Sequence, residues 1–224
     1  MFEGHFLTLF TSETNRLEGI NFSYNDTREL FETGQLSNYT GDLRAALSVA
    51  NNKAVAEYLN KCLAKGMGVT PTLIKETHRL LMFASMDDHR YHDNGERAGE
   101  YKVHDYCVGK YSVGSTPDTV AADVEELCQF LHDKGQADIV KVAAAFMCHF
   151  ENIHPFADGN GRTGRWITNY ILVRGGSTPA VFYSDDKKEY YDALEAFDFE
   201  EDYWKMYSYL LGQVRKSKRA YERR

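Results

Sequence analysis

The sequence has no Cys-x-x-Cys pair, no long apolar run, no excess of positive charge and no internal repeat or low-complexity tract. Each absence removes a class of protein. Cys62, Cys107, Cys128 and Cys148 are far apart, which argues against a thiolate metal site or a disulfide framework. Free thiols in a reducing compartment are expected. No stretch approaches the roughly 20 apolar residues that span a bilayer, and the first residues lack the order of a secretion leader. The expectation is a soluble, cytoplasmic protein without a membrane partner. A net charge of −7 argues against nucleic acid as a partner. The basic tail Arg215–Arg224 is a local exception, expected to be a solvated, fraying helix end.

What is present fits one folded domain. The 224 residues are 43% hydrophobic and 26% charged, enough apolar material for a core without staples. Most of the chain has helical periodicity. Asp42–Leu63 carries Leu43, Leu47, Ala50 and Ala54 along one expected face. Thr70-Pro71 and Thr116-Pro117 read as helix starts, a capping hydroxyl followed by a proline that fits the first turn. Asp138–Asn152 is apolar on nearly every side, which predicts a helix at the centre of a bundle. A second central helix is expected from about Arg162 to Gly175-Gly176, another from Ser184 through Leu194, and a last one over Trp204–Val214. Only Gly99–Ser115, rich in Tyr and Val, reads as a β-hairpin. The expected class is all-α with a small β element. It divides into an N-terminal segment (1–40), a core (41–215) and the basic tail (216–224).

The chemistry concentrates between the two central helices, in His154-Pro-Phe-Ala-Asp-Gly-Asn-Gly-Arg-Thr-Gly-Arg165. Gly159, Gly161 and Gly164 let a backbone approach a ligand closely, and the loop runs into a helix start, where unpaired N–H groups attract an anion. Arg162 and Arg165 add forked donors suited to phosphate. Asp158 is a hard oxygen ligand of the kind Mg²⁺ takes beside substrate phosphates. His154 can serve as a general base. Together these describe a nucleotide polyphosphate site with a base beside it. A P-loop is excluded because its Lys-Ser/Thr ending is absent and the preceding element is helical, not a strand. His149, set in Met-Cys-His-Phe, reads as a core residue or one packed behind the site. His89-Arg-Tyr-His92 has no matching ligand pair elsewhere and reads as polar loop.

The segment resembles the Fic family pattern His-x-Phe-x-Asp/Glu-Gly-Asn-Gly-Arg-x-x-Arg at every specified position. The likeness extends over about residues 8–200. Gly99-Glu-Tyr-Lys102 is similar to the family's Gly-x-Tyr-Arg, with Lys in place of Arg, and Tyr190-Tyr-Asp-Ala-Leu194 is similar to its tyrosine-bearing helix. The resemblance implies a Fic-like helical bundle with a hairpin flap, and transfer of AMP from ATP to a Ser, Thr or Tyr hydroxyl of a protein, with pyrophosphate leaving. In that scheme His154 is the base and Asp158 holds Mg²⁺. Asn160 and the N–H groups about Gly159 and Gly161 form the anion hole. Arg162 and Arg165 take the β- and γ-phosphates, and Thr163 and Gly164 complete the cradle. Val113, Gly114, Ser115 and Thr116 end the flap that lines the nucleotide and aligns the target's backbone. Tyr190 and Tyr191 border the adenosine, and Asp198 lies where relatives can carry an Asn near the base.

Thr14-Asn-Arg-Leu-Glu18-Gly19 is similar to the family's inhibitory motif, Ser/Thr-x-x-x-Glu-Gly/Asn. A short helix over about 11–19 is expected, capped by Thr11 or Ser12 and ended by Gly19, with Thr14 and Glu18 on one face. The resemblance implies that Glu18 pairs with Arg165 and blocks seating of the γ-phosphate. Two other readings stay open: removal of AMP from a modified protein, and a nucleotide-binding regulatory module without turnover, against which a base at His154 weighs. The target is an unidentified protein or the chain itself, and Phe2, Phe6 and Phe10 are candidate self-contact positions for a homo-oligomer.

Overall fold

The computed structural model describes residues 1–108, 111–133 and 138–222. Among them nine α-helices account for most of the chain: α1 (Gly4–Leu17), α2 (Tyr24–Thr33), α3 (Leu43–Ala64), α4 (Pro71–Leu81), α5 (Val120–Asp133), α6 (Ile139–Ile153), α7 (Asn160–Arg174), α8 (Lys187–Glu200) and α9 (Trp204–Glu222). Two short strands, β1 (Tyr106–Val108) and β2 (Tyr111–Val113), pair antiparallel with Tyr106 opposite Val113. Gly99–Asp105, expected to extend this hairpin, is not strand. Its backbone is used elsewhere: Gly99 donates to His78 and Lys102 donates to the Pro155 carbonyl at 3.0 Å.

α6 is buried on nearly all sides, from Val140 to Cys148, and packs against α5, α7 and α9. Its sequence leaves no polar face to turn outward, so the centre is the position that satisfies it. α7 lies against both α6 and α4. The two helices that flank the motif loop are therefore fixed by the core, and the loop between them inherits that rigidity.

α1 begins at Gly4, a full two turns before the expected cap at Thr11 or Ser12, and both of those residues are buried inside it. The cause is an aromatic stripe. Phe2, Phe6 and Phe10 fall on one face and are 1%, 5% and 0% exposed, so they are core residues and not a self-contact surface. Phe10 and Phe2 meet the indole of Trp166 edge-on at 4.7 and 5.3 Å, and its Nε1 donates to Asn52 at 2.8 Å. Trp166 follows Arg165 directly, so α1 is clamped to the motif helix itself.

Further differences have similar causes. In α3 the buried face is Ala45, Ser48, Val49, Asn52, Val55, Ala56 and Leu59, while Leu43 is 71% exposed and Ala50 faces solvent. Ser48, Asn51 and Asn52 can be buried because each has a hydrogen-bond partner, which hides the face from an apolar count. α5 starts at Val120 because Thr116 to Thr119 form a turn first. α9 runs through the basic tail to Glu222, with Ser217 buried and donated to by the Val181 N–H at 2.8 Å. Arg223 and Arg224 lie outside the described residues. Cys62, Cys128 and Cys148 are buried free thiols, and the side chain of Cys107 lies outside the described parts.

Candidate active site

α6 ends at His154 in the left-handed conformation, φ +50° and ψ +62°, and this turn swings the imidazole off the helix axis. Gly114, at the end of β2, abuts it so closely that a Cβ there would lie 2.2 Å from the Ile153 carbonyl oxygen and 2.6 Å from the His154 Cβ. Ser115 donates to the same carbonyl at 2.8 Å. Burial pushes His154 down to about 4. The charges of Lys102 and Arg90 add to that, against a hydrogen bond to the Glu151 carbonyl and the charge of Asp158. At neutral pH the ring is therefore uncharged and able to accept a proton.

The loop then turns into α7, which begins at Asn160 and not Arg162, capped by Gly159 at φ +76°. A Cβ at 159 would meet the Met82 sulfur at 2.6 Å, so the turn needs glycine for both space and conformation. Asn160 is 3% exposed, and its amide accepts from the Phe156 N–H at 2.9 Å and donates to the Phe156 carbonyl at 2.7 Å. That amide braces the loop with one donor and one acceptor, and so keeps the first-turn N–H groups of α7, which have no intrahelical acceptor, in place for an anion. Thr163 is wholly buried, so its side chain serves packing under the cradle and does not line it.

Asp158 accepts from the Gly159 N–H at 2.7 Å and meets Arg90 at 3.4 Å and Arg162 at 3.6 Å. These ion pairs are long, and the carboxylate is 29% exposed. Arg162 is 6% exposed, and its buried Nε has no hydrogen-bond partner among the described residues. A buried guanidinium with an unmet donor is what an anionic ligand would satisfy. A cavity of about 590 Å³ opens beside this group, with Glu18, Ser85, Asp87, Asp158 and Arg162 in its wall.

Glu18 reaches this site from the other end of the chain. It follows α1 directly and ends it, with Gly19 at φ +75°. Its Oε1 accepts from Arg165 Nη2 at 2.5 Å. Thr14, one turn earlier, takes Arg165 Nε on its hydroxyl at 2.7 Å and Nη2 on its carbonyl at 3.3 Å. The Arg165 side chain is 1% exposed and that of Glu18 is 31% exposed. Burial alone would raise the Glu18 carboxyl. Arg165, Arg162 and Lys187 outweigh it and hold the group below its usual value, charged. A Cβ on Gly161 would sit 2.8 Å from that Glu18 oxygen, so the glutamate lies over the first turn of α7, where an anion would bind.

The remaining expected residues separate. Tyr190 is 1% exposed and packed against Phe182 and Tyr209, so its ring belongs to the core and not to a nucleotide border. Tyr191 is 43% exposed and is the member of the pair left accessible to a ligand. Thr116 caps the turn before α5, with its hydroxyl on that of Thr119. Val113 is placed in β2, and its side chain lies outside the described parts. His149 is exposed, not core, and meets the rings of Phe130 and Phe197. Asp198 accepts from Asn152 at 3.0 Å, near the base end of α6.

Sequence reasoning missed His78 and Glu96, and gave Lys102 only as the Lys in place of the family's Arg. His78 is wholly buried on α4 and stacked on Phe156 at 3.7 Å; it accepts the Gly99 N–H at 2.8 Å and donates to the Asp158 carbonyl at 2.9 Å. The readable signal was a histidine between Thr77 and Leu81 on the buried stripe. Glu96, 1% exposed, accepts from the Val103 N–H and from Tyr106 OH, which steadies the base of the hairpin. Lys102 is 2% exposed. Glu96 follows a loop with no periodicity, and nothing in the sequence marks it.

Burial pushes His78 down to about 3, with Arg162 adding to it and the Asp158 carbonyl opposing. Below the unfolded value near 6.5 the unfolded chain takes a proton there and the native chain does not. Stability is therefore lost as pH falls, by up to about 1.4 kcal/mol per pH unit from this group. Urea midpoints at pH 7 and pH 5.5 are expected to differ more for the wild type than for His78→Asn. Equal differences would show that His78 is not held neutral.

Comparison with known proteins agrees with this geometry. Residues 68–172 match the Fic/DOC family. The protein adenylyltransferase fic-1 of Caenorhabditis briggsae is 27% identical over 191 residues, covering 83% of this chain and 36% of that protein. The chain thus spans about a third of the length of the curated relatives it matches. Among solved structures, a Fic domain containing signaling protein from Bacteroides thetaiotaomicron superposes with a TM-score of 0.82 at 26% identity, over 95% of this chain and 84% of that one. Fic-1 from Caenorhabditis elegans (aa134–508) superposes with a TM-score of 0.83 at 25% identity, over 97% of this chain and 62% of that one. The Fic domain and its helical architecture are therefore shared with these proteins. Among the described residues no helix is long and apolar enough to cross a membrane.

Proposed function

We propose that this Fic protein is a nucleotidyltransferase that moves AMP from ATP to a hydroxyl side chain of a protein, and that Glu18 holds it in check. The observation that carries the reading is the motif loop itself. One stretch of chain carries a neutral His154, a helix start whose first N–H groups have no intrahelical acceptor, and a buried Arg162 with an unmet donor, and Asp158 and Arg162 of that stretch line a cavity that Glu18 also borders. Relatives such as the fic-1 proteins of Caenorhabditis briggsae and Caenorhabditis elegans bear the name protein adenylyltransferase, which supports the direction of chemistry.

In this reading the α7 N-terminus and Arg162 bind the polyphosphate, and Arg165 receives its terminal phosphate once Glu18 has left. His154 Nδ1 or Nε2 takes the proton of the target hydroxyl as that oxygen attacks the α-phosphorus. The bond to the β-phosphate oxygen breaks, and pyrophosphate leaves. Developing charge on the α-phosphate is met by N–H groups already in place, which costs no reorganisation. A bound polyphosphate also adds negative charge near His154 and raises it from about 4 toward a value better matched to a base. Asp158, 29% exposed and held by one backbone N–H and two long ion pairs, fits a single-carboxylate Mg²⁺ position. The metal would neutralise phosphate charge there. The hairpin ending at Gly114 is the flap, able to align a target strand by backbone pairing. The target is a protein of unidentified sequence, reached in the cytoplasm.

Metal dependence tests the reading. Glu18→Gly protein incubated with ATP and magnesium is expected to release pyrophosphate, and EDTA is expected to stop it. Release of phosphate in place of pyrophosphate would contradict AMP transfer.

A further inference from the structure

Beneath the Glu18–Arg165 pair lies a carboxyl that the reaction above leaves unused. Glu151 is near the end of α6, one turn before His154. The residue is partly exposed, yet its Oε1 is shielded from solvent and has no hydrogen-bond partner. It can lie there because position 164 is glycine: a Cβ would stand 3.1 Å from that oxygen. Arg165 commits Nε and Nη2 to Thr14 and Glu18, while its buried Nη1 has no partner either. An unmet acceptor and an unmet donor of opposite charge are therefore buried close enough to interact electrostatically. Leaving either unpaired is costly, so a second state in which both are used is favoured.

The groups that face Glu151 define that second state. Arg165 on α7 attracts its charge; Glu18 after α1 and Asp198 on α8 repel it; Tyr190 lies beside it on α8. We propose that Glu151 is a positioning residue, whose carboxylate takes the free side of Arg165 when Glu18 withdraws and holds the guanidinium ready for the nucleotide's terminal phosphate. This rests on the reading of Arg165 as a phosphate ligand and of Glu18 as its blocker. With Glu18 in place, burial pushes Glu151 up to about 7, against the pull of Arg165 and with Glu18 and Asp198 adding to the rise. Removing Glu18 removes one of the charges that oppose ionisation. The carboxylate form then gains weight as pH rises, and the hold on Arg165 with it.

Calorimetric binding of magnesium-ATP separates positioning from packing. The background is Glu18→Gly with His154→Ala, so that no turnover occurs, measured at pH 6 and pH 8 with and without Glu151→Gln. The substitution is expected to weaken binding about tenfold at pH 8, the scale of one charged hydrogen bond, and to change it little at pH 6. Glu151→Asp, which keeps the charge, is expected to retain the dependence on pH. Equal affinity at both pH values, or an equal loss at both, overturns the proposal. AMP transfer by Glu18→Gly protein is measured in parallel. Transfer without the pH pattern sinks the positioning role alone. The pH pattern without transfer sinks the transferase reading and leaves Glu151 standing. No binding at all in the background sinks both.

Discussion

Glu18→Gly protein is expected to transfer AMP from ATP about 5- to 150-fold faster than the wild type, the span of a coupling of about 1–3 kcal/mol. The reason is competition for one guanidinium. Arg165 cannot both hold the Glu18 carboxylate at 2.5 Å and receive a phosphate, and the glutamate also covers the first turn of α7 at Gly161. Its charge is secured by Arg165, Arg162 and Lys187, so an incoming polyphosphate meets like charge as well as a filled site. Glycine removes both obstacles. The substitution is also structurally mild. α1 stays anchored by Phe2, Phe6 and Phe10 around Trp166, and Arg165 keeps both contacts to Thr14. Time courses of label transfer from α-labelled ATP check this, with Thr14→Ala as a companion. Thr14→Ala takes the hydroxyl partner from Arg165 Nε and leaves Glu18 in place, so it is expected to release far less activity. If Glu18→Gly labels no faster than wild type, the contact is structural and the inhibition claim fails.

His154→Ala in the Glu18→Gly background is expected to lower transfer by about 10²–10⁴, the usual worth of a general base. A base must be neutral to accept a proton, and burial together with Lys102 and Arg90 keeps the ring so. Since the residue sits at φ +50°, where histidine is found more readily than alanine, the substitution also disfavours the local backbone conformation. His154→Asn separates the two effects, because asparagine tolerates that conformation and carries no base. An equal fall in both variants assigns the loss to the missing base. Recovery in the asparagine variant would move the cause to backbone strain. Binding of magnesium-ATP is expected to survive either change, since the phosphate cradle lies in α7 and not in the imidazole.

The sequence made some of this legible and concealed the rest for definite reasons. The centre of the bundle was readable because α6 has no polar side to hide, and the motif loop because its glycines, arginines and carboxylate sit at fixed spacing in one stretch. The Glu18–Arg165 pair joins distant positions, and only a motif could suggest it. The true start of α1 was missed because Phe2, Phe6 and Phe10 look like loose surface aromatics until Trp166 is placed among them. The buried face of α3 was misread because Ser48, Asn51 and Asn52 are polar and satisfied by partners far along the chain. The brace that Asn160 forms was hidden for a similar reason: its amide bonds both backbone groups of Phe156, a contact no motif spells out. His78 and Glu96 escaped altogether, since a polar side chain that shapes a site from beneath leaves no spacing rule behind.

Intact mass spectrometry of Glu18→Gly protein after incubation with ATP and magnesium tests the central claim most directly. The account predicts a gain equal to one AMP group on the chain or on a supplied target, absent when His154→Ala is added. A gain equal to one phosphate, or no gain on either protein while pyrophosphate release is also missing, would contradict it.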